Sequence, residues 1–251
     1  WKGAEIRQGW EPNTKVVTGD LYGGDGAPLP LCPRSALKRA VAAWEKHGLT
    51  PKVGIELEAY AFWRNEQGQI EPYDTPGGVV YGTGNFADPR GFTEAIWNKA
   101  QEIGLPLDLI TSEYDTPQYE FTLTFDAAVA HVDTVVLFRQ MAREVAFDHG
   151  IILTFLPKPI LGKGGSGMHI NLSFTDKDGA NALANGDRAR AVQGTGAISA
   201  RALSATCAIR SGFSFVPGGC RVRWRTTRPW RPGRRRRWWA RGRWRWRRPA
   251  R

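Results

Sequence analysis

Cysteine is scarce in this chain, and two common classes of protein are excluded by what the sequence lacks. The 251 residues include three cysteines, Cys32, Cys207 and Cys220, which are too few for the disulfide framework of a small secreted protein. No apolar run approaches the roughly 20 residues that cross a bilayer, and the N-terminus shows no charged-then-apolar export pattern. We therefore expect no membrane partner and a reducing, cytoplasmic location.

Acidic residues and lysine are absent from residues 188–251, which instead hold 19 arginines and 6 of the 11 tryptophans. Residues 1–187 carry 16 of the 35 lysines and arginines against all 24 acidic residues, a net charge of −8, so the overall charge of +11 comes from the tail. Such a tract can bind nucleic acid through charge and stacking, which makes a non-catalytic basic nucleic-acid-binding protein one candidate function. The composition is also typical of a GC-rich gene translated out of frame. We adopt this second interpretation, so nucleic acid is not expected as a partner.

A glycine-rich loop at 163–167 leads directly into a strand with two distinct faces. Polar residues His169, Asn171 and Ser173 alternate with apolar residues at the strand period of two, so the apolar set can face a core while the histidine faces a cavity. Glycines allow backbone N–H groups to approach a bound anion closely. The segment therefore predicts a ligand site, against the alternative of an ordinary turn followed by a strand with a structural histidine.

Two glutamates share one face of a second predicted strand, at 53–63. Glu56 and Glu58 alternate with apolar residues, and Tyr60 and Phe62 continue their face as aromatics. Two carboxylates on a solvated surface would be harmless, but the aromatics indicate that this face is partly covered. Like charges about 4 Å apart repel by roughly 4 kcal/mol at an effective dielectric constant near 20, so we expect a cation between them.

A third group of polar residues surrounds a proline-containing turn. Glu113 and Glu120 flank Pro117, and a period-two strand follows in which Glu120 shares its face with Thr122. Clusters of carboxylates with one imidazole suit Mg²⁺ or Mn²⁺ better than zinc, which prefers thiolates or several histidines. The sequence therefore predicts a divalent-cation site built from these glutamates and His169.

These three motifs, in this order along the chain, resemble the glutamine synthetase family, and the similarity covers about residues 10–185. The matching segments are Gly54-Ile-Glu56-Leu-Glu58, the pair Glu113 and Glu120 around Pro117-Gln118, and Gly165-Ser-Gly-Met-His169. The resemblance implies ATP-dependent ligation of ammonia to the γ-carboxylate of glutamate through a γ-glutamyl phosphate intermediate. It also implies two ions of Mg²⁺ or Mn²⁺, one held by Glu58, Glu113 and Glu120 and the other by Glu56 and His169.

The resemblance assigns further residues to the substrates. Gly165 would contact glutamate through its backbone, and three residues fall where the family contacts ATP, namely Asp108, Phe125 and Ser173. Many members have a second histidine where this chain has Asn171, near the amino-acid and ammonia end of the site, so Asn171 is assigned to the substrate-binding residues with Gly165. A γ-glutamyl-amine ligase that uses a polyamine or ethanolamine is therefore an alternative. Family members form double rings with sites shared between subunits, so a homo-oligomer is implied for an intact relative.

Several family features that follow the histidine motif are absent from this sequence. The family continues with substrate-binding arginines and a last metal-binding glutamate, whereas this chain continues beyond His169 into the arginine–tryptophan tail. Cations placed around a transferred phosphate stabilise the transition state, and the loss of one such arginine can cost about 10³–10⁵ in rate. We therefore expect the chain as given to be a weak or inactive ligase.

The elements predicted between these motifs form an α+β fold with a mostly antiparallel sheet, similar to the catalytic domain of glutamine synthetase. His131 and His149 are interpreted as ordinary helix-surface or C-terminal residues. We predict helices at about 35–47, 88–103 and 126–150, the last capped by Asp126, a strand at 151–156 and a turn at 176–179. We divide the chain into the end of a β-grasp N-terminal domain with its linker (1–32), a partial catalytic domain (33–187) and the tail (188–251).

Overall fold

The computed structural model of the protein describes residues 4–183. The tail at 188–251 lies outside the described residues, as do the predictions that concern it. In the described part, the strands are β1 (Glu5–Gln8), β2 (Lys15–Thr18), β3 (Thr50–Arg64), β4 (Ile70–Pro72), β5 (Leu107–Ser112), β6 (Gln118–Leu123), β7 (Asp126–Ala127), β8 (Ile151–Thr154) and β9 (Met168–Thr175). The helices are α1 (Pro33–Glu45), α2 (Gly84–Ala87), α3 (Phe92–Glu102) and α4 (Ala128–Asp148).

One long strand organises the main sheet. β3 pairs antiparallel with β4, β6, β7, β8 and β9, and β5 pairs antiparallel with β6. A strand of 15 residues is long enough to meet several partners in succession: β9 runs along residues 50–57 of β3, and β8 along residues 60–63. The predicted α+β class with an antiparallel sheet is confirmed.

The hydrophobic core lies on one face of this sheet. Alternate residues of β3 are buried there, as the strand period predicted, and α3 and α4 cover them. The core is closely packed around aromatic pairs: the rings of Phe121 and Phe138 lie 5.4 Å apart, and those of Phe92 and Tyr119 lie 5.1 Å apart. The opposite face of β3 carries the glutamates, so the packing of the core decides which face is left for ligands.

An ion-pair cluster fixes α1 against α4. Arg34 donates from Nε to both carboxylate oxygens of Asp133 at 3.0 Å, and from Nη1 to Asp20 at 2.8 Å. Lys38 lies 2.5 Å from the other oxygen of Asp20. The hydrogen bond from Lys38, followed by that from Arg34, lowers the pKa of the Asp20 carboxyl against the opposing effect of burial. The cluster thus joins the segment before α1 to α4, the longest helix among the described residues.

The helix predicted at 35–47 is present, shifted towards the N-terminus. It begins at Pro33, where a proline costs no hydrogen bond, and ends before Gly48, whose φ of 72° lies in the left-handed region that favours glycine. The predicted strand at 151–156 corresponds to β8, which ends two residues earlier. The predicted turn at 176–179 is confirmed by a hydrogen bond from Gly179 N to Asp176 O of 3.1 Å.

Three details of the sequence prediction are wrong. The helix expected from residue 88 begins at Phe92, because the carboxylate of Asp88 instead accepts hydrogen bonds from the backbone and hydroxyl of Thr93. Asp126 does not cap α4: it belongs to β7, and the capping position is Ala127. His131 does not lie on the helix surface. It is 1% exposed, and its Nε2 accepts a hydrogen bond from Ile55 N at 2.9 Å.

Two further predictions concern the end of α4 and the N-terminal strands. His149 occupies the C-terminal cap of α4, which confirms its interpretation as a helix-end residue. β1 and β2 form a separate two-stranded antiparallel sheet, and the assignment of residues 1–32 to a β-grasp domain stays a prediction. Among the described residues, no helix is long and apolar enough to cross a membrane.

Candidate metal and ligand site

Strand pairing brings the predicted metal ligands together from three distant parts of the sequence. In the register of the sheet, Glu56 on β3 lies opposite His169 on β9, and Glu58 on β3 lies opposite Glu120 on β6. Side chains of directly opposite residues in an antiparallel pair are neighbours on one face. Four residues therefore meet on the face of β3 that the core leaves free, and Glu113, between β5 and β6, joins them through a hydrogen bond with Glu120. We call Glu56, Glu58, Glu113, Glu120 and His169 the carboxylate–imidazole cluster.

Three members of the cluster lie close enough together to hold one ion. Glu56, Glu120 and His169 each offer one ligand atom, and these atoms all lie within 4.8 Å of one another. His169 Nδ1 lies 3.2 Å from Glu56 Oε2. The resemblance implies that Glu120 shares an ion with Glu58 and Glu113, and this assignment stays a prediction; in the structure Glu120 also lies beside Glu56 and His169. Carboxylate oxygens with one imidazole are a donor set that fits Mg²⁺ or Mn²⁺.

Crowding of negative charge changes the proton affinity of Glu120. Burial, a hydrogen bond with Glu113 and the charges of Glu113, Glu56 and Glu58 raise the pKa of the Glu120 carboxyl to about 7. Thr122 Oγ1 donates to Glu120 Oε1 at 3.3 Å, a long hydrogen bond that compensates little of this repulsion. A divalent cation would relieve the repulsion directly, so this electrostatic arrangement also fits a metal site.

Glu58 is held by two hydrogen bonds on the same oxygen. Its Oε2 accepts from Gly167 N and from Gln118 Nε2, each at 2.8 Å. Burial raises the pKa of the Glu58 carboxyl, the hydrogen bond from Gly167 lowers it, and the charge of Glu113 raises it. Sequence reasoning did not identify Gln118 as a functional residue, although it lies beside Pro117 in the motif that carries Glu120.

The glycine-rich loop packs tightly against the cluster. A Cβ on Gly167 would lie 2.6 Å from Glu58 Oε1, and a Cβ on Gly164 would lie 2.5 Å from Asp115 Oδ2, so larger residues would displace these carboxylates. Gly164 donates its N–H to Asp115, and its carbonyl accepts from Tyr60 OH at 3.0 Å. The loop is therefore fixed directly beside the glutamates, with Gly165 exposed to solvent.

A cavity of about 700 Å³ opens next to the cluster and shares Glu56 with it. The residues predicted to contact ATP, namely Asp108, Phe125 and Ser173, all line this cavity, as does Asn171. Phe125 is 67% exposed, so its ring is free to contact a ligand. Asn171 donates from Nδ2 to Glu56 Oε1 at 3.0 Å.

The cavity wall also contains a lysine that sequence reasoning missed. Lys52 lines the cavity and lies on β3, with its Nζ 3.7 Å from Asp126 Oδ1. Its position has the same parity as Glu56 and Glu58, so the strand period alone could have placed it on the ligand face. The cavity thus combines the exposed ring of Phe125, the ammonium group of Lys52 and, at its border, the carboxylates that could hold a metal ion. The ring suits an aromatic base, and the ammonium group suits phosphates.

The sequence and the fold both match known proteins. The sequence model of the family "Glutamine synthetase, catalytic domain" matches residues 30–200 and so extends past residue 188. Glutamine synthetase from Pyrococcus woesei is 33% identical over 172 residues, which cover 68% of this chain and 38% of that protein. Glutamine synthetase from Methanosarcina mazei is 31% identical over 181 residues, which cover 71% of this chain and 40% of that protein.

Solved structures agree with these sequence matches. A novel glutamine synthase homolog is 27% identical with a TM-score of 0.60, and the match covers 71% of this chain and 41% of that one. GmaS in complex with ADP is 26% identical with a TM-score of 0.61, covering 69% of this chain and 40% of that one. The chain spans less than half of the length of the relatives that it matches. It belongs to the glutamine synthetase family, through the catalytic domain of that family.

Proposed function

We propose that this chain carries the metal- and ATP-binding part of a ligase that joins ammonia to the γ-carboxylate of glutamate through γ-glutamyl phosphate. The observation that carries the proposal is the position of Glu56, which belongs both to the carboxylate–imidazole cluster and to the 700 Å³ cavity. A metal held by the cluster would thus lie at the border of the cavity that suits a nucleotide. Membership of the glutamine synthetase family supports the same reaction.

The residues proposed to hold two ions of Mg²⁺ or Mn²⁺ are the five of the carboxylate–imidazole cluster. When bound, the cations neutralise and align the phosphates and the carboxylate that receives the phosphoryl group. The chain itself orients the ligands: Asn171 holds one oxygen of Glu56, and Gln118 with Gly167 holds one oxygen of Glu58. Tyr60 is fully buried and donates from its hydroxyl to Gly164 O at 3.0 Å, which holds the glycine-rich loop beside the glutamates.

The nucleotide and the amino acid are proposed to bind on opposite sides of the cluster. Asp108, Phe125 and Ser173 line the cavity on the nucleotide side, and Phe125 offers an exposed ring against which a base can stack. The ADP complex of the related GmaS supports nucleotide binding by this fold. Gly165, exposed in the glycine-rich loop, would contact glutamate through its backbone.

The two alternative functions are not favoured. The curated relatives reported above are glutamine synthetases, which supports ammonia over a polyamine or ethanolamine as the nucleophile. The same matches favour a ligase over a basic nucleic-acid-binding protein, whose only support is the composition of the tail. The double ring and the cytoplasmic location stay predictions, as does weak activity of the chain as given.

The proposal is tested by binding before turnover, because weak activity is expected. Mn²⁺ binding to the full chain is measured by the loss of the free-ion signal in electron paramagnetic resonance, and ADP binding by calorimetry with and without Mn²⁺. We expect Mn²⁺ to strengthen ADP binding. We expect Glu58→Ala to weaken Mn²⁺ binding by about 10-fold or more, because loss of a group that orients a metal ligand commonly weakens metal binding by at least that factor. Glu66→Ala is the matched control, since Glu66 is exposed in the turn between β3 and β4.

Turnover is then measured as ADP release with glutamate plus ammonia, ethanolamine or a polyamine. Release that is fastest with ammonia and is lost in Glu58→Ala supports the proposed reaction. Mn²⁺ binding that Glu58→Ala and Glu66→Ala leave equally strong would contradict it, because the cluster would then not hold the ion.

A further inference from the structure

The side chain of Gln118 connects a metal-ligand glutamate to the glycine-rich loop. Gln118 is 3% exposed, and its Nε2 donates to Glu58 Oε2 at 2.8 Å and to Gly165 O at 3.1 Å. A carboxamide nitrogen carries two hydrogens, so these two acceptors use its full capacity as a donor. The orientation of the amide is therefore fixed by both partners together.

The backbone of Gln118 is fixed as firmly as its side chain. Its N–H donates to Asp115 O at 2.9 Å, and its carbonyl accepts from Glu113 N at 2.7 Å. In the sheet it lies opposite Tyr60 of β3. The amide thus projects from a rigid point, and it can transmit the position of one partner to the other.

A closed ring of contacts results. Glu58 Oε2 accepts from Gln118 on one side and from Gly167 N on the other, and Gly165 and Gly167 belong to the same short loop. Movement of the loop would therefore break a hydrogen bond to Glu58, and rotation of the Glu58 carboxylate would release the loop. Hydrogen bonds to a charged acceptor are the stronger kind, and both bonds that Glu58 Oε2 accepts belong to it.

The chemistry of the residue at this position also matters. A lysine or arginine here would neutralise Glu58 and compete with a cation for its charge, whereas an apolar residue would leave two acceptors without a donor. An amide orients the carboxylate and leaves its charge available. Glutamine therefore satisfies both requirements of a group that supports a metal ligand.

We propose that Gln118 is a positioning residue that couples the glycine-rich loop to the orientation of Glu58, so that loop order and cation binding depend on each other. The inference rests on the proposed function, in which Glu58 holds a cation and Gly165 contacts glutamate. Gln118 would contact neither the substrate nor the metal. It would act through Glu58 and Gly165, to which its side chain donates hydrogen bonds.

The experiment compares Gln118→Met with the wild-type full chain. Methionine keeps the length and much of the volume of glutamine but has no N–H donor, so the buried site stays filled. Hydrogen exchange of a peptide that contains residues 164–167 is measured by mass spectrometry in the metal-free chain, and the Kd of Mn²⁺ is measured by electron paramagnetic resonance. Gln140→Met is the matched control, because Gln140 is exposed on α4 and donates to Glu144.

We expect Gln118→Met to weaken Mn²⁺ binding by about 10–100-fold, as partners of metal ligands commonly do when removed. Exchange at the loop should become about 10-fold faster, as expected for loss of a hydrogen bond that orders it. Gln118→Asn, which keeps the amide but shortens the side chain, should give smaller changes in both measurements. Gln140→Met should change neither, and thermal unfolding monitored by circular dichroism verifies that each variant is folded.

The outcomes separate this inference from the proposed function. If the wild-type chain binds Mn²⁺ and Gln118→Met leaves both the Kd and the loop exchange unchanged, the inference is wrong while the metal site stands. A lower melting temperature with those two readouts unchanged would likewise overturn it, since Gln118 would then have only a structural role. If the wild-type chain binds no Mn²⁺, the proposed function fails at its metal site, and loop exchange in the metal-free chain decides for or against the coupling.

Discussion

Replacement of Glu120 by glutamine should stabilise the metal-free protein and weaken its metal site. Glu120 is partly buried beside Glu113, Glu56 and Glu58, and burial together with their proximity raises the pKa of its carboxyl to about 7 from an ordinary value of 4.5. A raised pKa means that the folded chain binds this proton more tightly than the unfolded chain. Between pH 4.5 and about 7, the folded chain therefore holds more protons than the unfolded chain, and the free energy of unfolding falls as the pH rises.

The magnitude follows from the displacement of the pKa. A displacement from 4.5 to about 7 corresponds to roughly 3 kcal/mol at 1.36 kcal/mol per pKa unit. Because the carboxyl is only partly buried, screening by solvent reduces the expected effect to about 1–2 kcal/mol. Glu120→Gln removes the charge, nearly preserves the shape and keeps the oxygen that accepts from Thr122 Oγ1.

The assay is urea unfolding of the wild type and of Glu120→Gln at pH 5 and pH 8 in the presence of a chelator. At pH 8 we expect the variant to be more stable by about 1–2 kcal/mol, and at pH 5 the difference should shrink. Added Mn²⁺ should stabilise the wild type at pH 8 and the variant much less, since binding to the folded state alone raises stability. Glu66→Gln, in an exposed turn, should leave the pH dependence unchanged. A variant that is less stable than the wild type at pH 8 without metal would refute the reasoning.

Substitutions at three other positions test contacts within the fold and at the site. Asp133→Ala should lower the free energy of unfolding by about 3 kcal/mol in urea titrations, because Arg34 loses a buried partner but keeps another; no loss would show that the ion pair contributes nothing. His131→Leu should lower the free energy of unfolding by about 1–3 kcal/mol in urea titrations, because Ile55 N loses its hydrogen-bond acceptor. His131→Gln should lower it less, and equal losses would show that His131 does not act as this acceptor. Phe125→Ala should raise the Kd of ADP about 5–100-fold by calorimetry, as loss of base stacking does, and an unchanged Kd would remove Phe125 from the nucleotide site.

The strand period could be read from the sequence because it is a local property. Glu56 and Glu58 alternate with apolar residues, so their common face followed from residue spacing alone, and the structure buries the apolar set as expected. The same reasoning assigned His169 to the polar face of β9. The three motifs and their order were enough to identify the family, because each motif is a short segment that can be recognised without knowledge of the fold.

Local signals were less reliable where a side chain has a distant partner. His131 was interpreted as a surface residue because its neighbours in α4 do not reveal that Ile55 needs a hydrogen-bond acceptor. The start of α3 was misplaced because Asp88 bonds to Thr93 from outside the helix. In both cases the deciding hydrogen bond is made by a side chain to a backbone group, and the spacing of apolar residues along the chain does not reveal it.

The composition of the site was thus determined by the sequence, and its connections by the tertiary structure. Which glutamate meets which partner depends on the register of β3 against β6 and β9, and that register is set by the packing of the core on the opposite face. The role inferred for Gln118 depends on the same register, because its amide reaches Glu58 and Gly165 only when β6 and the glycine-rich loop both lie against β3. Residue spacing specifies the face of a strand, but only the packed sheet specifies its neighbours.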